Sequence, residues 1–155
     1  MEHRMRVRAA VGWLELGLPD EALVELEPLP WRIQVRKSLL ELRLVAEMAD
    51  RSWNAASETA RLLCLKDPAE PQFFLHAAYC LHETGDTLAA CHWLLRGPKA
   101  LFSEATFHYN LACYLAVLGE SKRAMSHLKT AFGLDESLRD SAHLDQDLAC
   151  LGALP

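Results

Sequence analysis

Residues 105–136 read ATFHYNLACYLAVLGESKRAMSHLKTAFGLDE, and this stretch decides the fold. Leu111, Leu115 and Leu118 precede Gly119, and Ala124, Leu128 and Ala131 follow it, all at the three- and four-residue steps of a helix. A glycine at that point can end the first helix in a left-handed conformation that other residues adopt at a cost. Small residues at Ala112 and Ala124 then let a second helix fold back closely on the first. The stretch predicts a helical hairpin.

The same order recurs upstream at a fixed step of 34 residues. Gly85 and Gly119 are one step apart, and Gly17 lies two steps before Gly85. Ala22, Ala56, Ala90 and Ala124 keep the step without a gap, as do Ala10, Leu44, Ala78 and Ala112, and Leu26, Ala60, Leu94 and Leu128. The third unit reads Phe74, Ala77-Ala78, Leu81, Gly85, Ala90 and Leu94, and the first is recognisable through Ala9-Ala10, Trp13, Gly17, Ala22 and Leu26. The second departs most, with Arg43, Glu47 and Arg51 where small, bulky apolar and glycine residues are expected. Helices are expected near 3–17, 20–27, 31–50, 52–66, 70–84, 86–96, 103–118, 120–133 and 137–149, separated by turn signals such as Pro28-Leu29-Pro30, Asp67-Pro68 and Gly97-Pro98.

This order of residues at this period resembles the tetratricopeptide repeat, whose pattern is W-x2-L-G-x2-Y, then A-x3-F, then P. The run Tyr109-Asn110-Leu111-Ala112-Cys113-Tyr114 with Leu118-Gly119, followed by Leu144-Asp145-Gln146-Asp147-Leu148, is similar to short bacterial proteins of that class, with Gln146 where their tail pattern has proline. The resemblance implies an all-α fold: a right-handed superhelical α-solenoid of about four hairpins plus a C-terminal capping helix. The expected repeats are 3–36, 37–70, 71–104 and 105–136 within one domain, with 137–149 as the cap over the apolar end of the stack.

In this class the first helices of successive hairpins line a concave face. The repeat register places there Gln72, Leu75, His76, Tyr79 and His82 of the third unit, Tyr109, Asn110 and Cys113 of the fourth, and Val45 and Met48 of the second. Arg4, Val7, Arg8 and Val11 are their counterparts in the first unit. Aromatic rings with a polar tip and an amide suit the capture of a peptide or helix. The expected function is therefore a non-catalytic scaffold that binds another protein. A secretion-type chaperone, to which the run Pro71–Ala78 is similar, and a self-assembling structural subunit are the alternatives. The clamp that grips C-terminal carboxylates in some repeats needs Lys and Asn where this chain has Val7 and Val11, and is not expected.

Composition narrows the classes further. Apolar residues make up 51% and charged residues 24%, an ordinary globular balance. A formal charge of -5 does not favour nucleic acid, although arginines cluster at the start and aspartates at the end. Neither a secretory leader nor an 18-residue apolar span is evident, so no membrane partner is expected. The cysteines at 64, 80, 91, 113 and 150 are odd in number and lack C-x-x-C spacing, which reads as reduced thiols in a cytoplasmic protein, a monomer or weak homodimer. No H-E-x-x-H, G-x-S-x-G or phosphate-cradling glycine motif is present, so no cofactor, resident metal or catalysis is expected. Asp145 and Asp147 form a close acidic pair, read as solvating the cap or meeting a basic loop.

Overall fold

The computed structural model describes residues 2–155. Its helices are α1 (Glu2–Glu15), α2 (Pro19–Leu26), α3 (Trp31–Gln34), α4 (Lys37–Ala49), α5 (Trp53–Lys66), α6 (Pro71–Glu83), α7 (Thr87–Leu95), α8 (Ala105–Val117), α9 (Ser121–Leu134) and α10 (Leu138–Ala142), with 3-10 turns at Lys99–Ser103 and Gln146–Leu151. No strand occurs among the described residues. The long helices pair as α1/α2, α4/α5, α6/α7 and α8/α9, each pair packing on the next. The architecture is an all-α solenoid of four hairpins.

The 34-residue registers are the core. Ala22, Ala56, Ala90 and Ala124 are fully buried, and so are Ala10, Ala78 and Ala112; Leu44 and Leu26 reach only 3% exposure. Small side chains at the alanine positions let the paired helices approach closely. Helix starts are set locally: Pro19 and Pro71 occupy the first turns of α2 and α6, where a missing N–H costs nothing. The Asp86 carboxylate accepts the Ala89 N–H at 3.1 Å and caps α7.

Between the two helices of every hairpin the backbone turns through positive φ: Gly17 at 74°, Arg51 at 61°, Gly85 at 91° and Gly119 at 82°. Arg51 stands in the glycine register and adopts the glycine conformation. The chain geometry of the repeat thus outranks the local preference of the residue, which opposes the left-handed region by roughly 1–2 kcal/mol. The second unit is a regular hairpin despite its sequence. Its Glu47 is only 2% exposed at the position that Trp13, Leu81 and Leu115 hold elsewhere. Arg43, one helical turn earlier, donates from Nε to Glu47 Oε1 at 2.8 Å and compensates that charge.

Two expected helices differ. The helix expected over 31–50 is broken into α3 and α4, because Arg36 is extended (φ -70°, ψ 139°). The Gln34 side-chain amide donates to the Glu27 carbonyl at 2.9 Å and the Leu29 carbonyl at 2.6 Å, tying α3 to the Pro28–Pro30 loop instead of continuing the helix. The helix expected over 137–149 is α10 followed by a separate 3-10 turn. The first ends at Ala142, and Asp145 caps the start of the second by accepting the Asp147 N–H at 3.0 Å.

Candidate functional site: the inner face and its strap

The face lined by first helices is furnished differently along its length. On α8, Tyr109, Cys113 and Ala116 follow at helical spacing and form one stripe. Residues 143–155, here called the strap, lie on that stripe. Tyr109 donates its hydroxyl to Asp145 Oδ2 at 2.8 Å, the Cys113 thiol faces the same oxygen at 3.6 Å, and the Cys150 thiol reaches the Ala116 carbonyl at 3.5 Å. Leu148 is buried beneath the turn at 2% exposure. From the neighbouring hairpin, His82 Nε2 meets Asp147 Oδ2 at 2.9 Å while its Nδ1 meets Thr87 Oγ1 at 3.0 Å. The imidazole also packs on Tyr114, ring centres 4.8 Å apart. A residue of α6 therefore reaches the strap across α8.

Of the residues expected on this face, His82, Tyr109 and Cys113 converge on the strap. Tyr79 lies apart from it, edge-on to Trp53 of α5 with centroids 5.6 Å apart and 38% exposed. Gln72 and Val45 are exposed, Asn110 and His76 are half-buried, and Met48 is half-buried against the core. Leu75 and Cys113 are buried, at 4% and 5% exposure. The His76 Nδ1 has no hydrogen-bond partner among the described residues, and burial lowers that imidazole's pKa.

Asp145 and Asp147 are half-buried, and neither meets a basic loop. They meet a phenol, an imidazole and a thiol, and His82 is the only basic side chain within ion-pair distance of either among the described residues. Burial, followed by the charges of these two aspartates, pushes the Cys113 thiol well above its ordinary range. Burial and the hydrogen bond to Asp145 do the same to the Tyr109 phenol. Cys113, Asp145 and Asp147 can each bring one donor atom within 4.8 Å of the others. The sequence hid this grouping, since Cys113 and the pair are more than 30 residues apart. The available signal is the repeat register, which puts Asp147 one step of 34 after Cys113.

The first half of the face is open. A cavity of about 490 Å³ lies between α1 and the α3–α4 junction, lined by His3, Arg4, Val7, Arg8, Ile33, Arg36 and Leu39. Its floor is apolar and its charged residues are all basic. Among the described residues no ion pair engages Arg4, Arg8 or Arg36, whereas Arg6, on the same helix, pairs with Glu25 at 3.1 Å. No described helix is long and apolar enough to cross a membrane. All five cysteines are unpaired.

No family model matches the chain, and no curated protein matches it. Solved structures do. The chain is similar to "MamA MSR-1 C2" with a TM-score of 0.79 at 14% identity, over 88% of this chain and 79% of that one. It is also similar to "MamA 41-end from Desulfovibrio magneticus RS-1", with a TM-score of 0.79 at 15% identity over 97% of this chain and 83% of that one. A third, "MamA RS-1 ArsTM double mutant", gives 0.78 at 15% identity, over 96% and 88%. At such identities the likeness is one of fold: the stack of helical hairpins is shared with these proteins.

Proposed function

We propose that this chain is a non-catalytic scaffold that binds another protein on its inner face, where it receives a short segment of peptide or helix. The observation that carries the reading is the strap. The stripe of Tyr109, Cys113 and Ala116 already holds a peptide segment, through a phenol, an imidazole and a buried leucine seat. A surface that fixes its own chain by side-chain hydrogen bonds and one apolar anchor has the chemistry to fix a partner's segment by the same means. The strap then acts as the resident occupant, and a partner binds by displacing it or by using the uncovered residues Gln72, Tyr79 and Val45 beside it. The unpaired cysteines fit a reducing compartment such as the cytoplasm.

Competition in trans tests this reading. A labelled peptide of residues 143–155 is titrated into the full chain and into the full-length Leu148→Ala variant, whose strap has lost its anchor. Binding is expected to be at least about tenfold tighter in Leu148→Ala, the factor that corresponds to 1.4 kcal/mol. Tyr109→Phe, which keeps the ring and removes the donor, should weaken it again. Equal, weak binding by all three proteins would contradict an inner face built to receive a segment.

A further inference from the structure

We propose that Cys113, Asp145 and Asp147 form a site for a divalent cation of zinc-like character that clasps the strap onto α8. Three donor atoms of ligand type already lie within 4.8 Å of one another. A zinc tetrahedron built with Zn–S near 2.3 Å and Zn–O near 2.0–2.2 Å has edges of roughly 3.3–3.8 Å. The Cys113–Asp145 separation of 3.6 Å falls within that span. The three donor atoms lie within 4.8 Å of one another, so closing the tetrahedron needs shifts of about 1 Å.

Three independent features point to a cation there. First, the ligand set is mixed and drawn from two elements, a buried thiol on α8 and two carboxylates on the strap, so the cluster is more than a run of surface acid. Second, each carboxylate is oriented by a separate donor. Tyr109 holds Asp145, His82 holds Asp147, and Thr87, which is itself buried, holds the far nitrogen of His82. This arrangement matches the outer shell that fixes ligating side chains around metals. Third, the two half-buried carboxylates converge with no lysine or arginine in ion-pair range among the described residues. One thiolate with two carboxylates suits a borderline-soft ion and leaves an open coordination position.

A cysteine ligates a metal as its thiolate. Binding therefore transfers the thiol proton to solvent as the S–metal bond forms, and affinity rises with pH. His82 is a positioning residue that acts through Asp147. Bound metal ties the strap to its seat, so the strap peptide should compete less well in trans against metal-loaded protein than against metal-free protein.

Cobalt(II) is the probe. The full chain carrying Cys150→Ser, which removes the exposed thiol, is titrated with cobalt(II) by absorbance and calorimetry and then back-titrated with zinc. The expectation is roughly one ion per chain with a sulfur-to-cobalt charge-transfer band, release of about one proton, and displacement by zinc. Cys113→Ser should abolish the band, and Asp147→Asn should weaken binding about tenfold or more. His82→Gln should keep the band and stoichiometry while lowering affinity about tenfold, a split that loss of structure would not produce. Circular dichroism of each variant confirms folding. No saturable binding, or a charge-transfer band that survives Cys113→Ser, would overturn the site. Because no partner or peptide is present in this titration, its failure leaves the segment-binding reading standing, and the failure of that reading leaves this one standing.

Discussion

The two halves of the stack carry the same repeat and yet differ in how completely it is filled. From α4 onward one continuous core runs through Leu63, Phe73, Leu94, Leu111, Leu128 and on to Leu148 of the strap. Before it lies a separate, smaller cluster of Ala10, Ala22, Leu26, Leu29 and Ala46. The Pro28–Pro30 break shortens α2 to eight residues and inserts α3, so the first hairpin has less apolar surface to give the second. The inner face divides in the same place. Its first half is an open basic cavity, and its second half is closed by an acidic strap. Core continuity and closure of the face go together because the strap belongs to the larger core. In a repeat stack, where stability is a sum of units and their interfaces, the weaker interface sets where partial opening starts.

The sharpest test of that contrast is a matched pair of core truncations. Leu128→Ala should cost about 2–5 kcal/mol and lower the midpoint of the main denaturant transition. Leu26→Ala removes the same side chain from the small cluster. It should strip hydrogen-exchange protection from α1 and α2 while leaving α6–α9 nearly unchanged. Equal loss throughout after Leu26→Ala would mean that the two clusters unfold as one.

Glycine substitutions read packing more finely. A Cβ on Gly97 would meet Leu101 Cδ2 at 2.5 Å and the Phe74 Cβ at 3.3 Å, so Gly97→Ala should cost about 1–3 kcal/mol by overpacking. A Cβ on Gly12, inside α1, meets nothing within 4 Å, and Gly12→Ala should stabilise by up to about 1 kcal/mol. Thermal melts of the two variants should move in opposite directions. The hairpin turns give a smaller pair: Gly119→Ala, with open space but positive φ, should cost about 1 kcal/mol, and Arg51→Gly should be neutral or gain a few tenths.

The smallest expected effect is in pH. Burial lowers the pKa of His76 and, together with nearby His108, that of His127, both in the filled half. In the unfolded chain these imidazoles titrate near 6.5. As pH falls through that value the unfolded state takes up protons first, and stability declines; above it the two states are equally neutral and the effect vanishes. Urea midpoints between pH 7 and pH 5 should fall, and the fall should flatten in the His76→Gln and His127→Gln variants.

Much of the fold is written in the alanine and leucine registers, whose spacing survives without gaps and whose burial follows directly. Arg51 is legible only by position, since nothing in an arginine announces a left-handed turn. The repeat geometry supplies it. The α3–α4 break has no signal in the sequence because it depends on the Gln34 amide reaching back to two carbonyls, a tertiary contact with no periodic signature. The same limit applies to the inner face. Tyr109, His82 and Cys113 were readable as one face from helical spacing, but the Tyr109–Asp145 bond joins residues 36 apart. The tail that covers them carries only a weak helical pattern; its helix stops at Ala142, and a separate 3-10 turn begins under the Asp145 cap.

Thiol reactivity tests the central claim, a filled half whose inner face is covered by its own strap, most directly. Under native conditions Cys150 is exposed and Cys113 lies beneath the strap. A maleimide pulse read by mass spectrometry should label Cys150 rapidly and Cys113 slowly, and Leu148→Ala should speed Cys113 while leaving buried Cys64 and Cys80, whose thiols burial pushes up to about 12, unchanged. Cys113 labelling as fast as Cys150 in the unaltered chain would contradict the account.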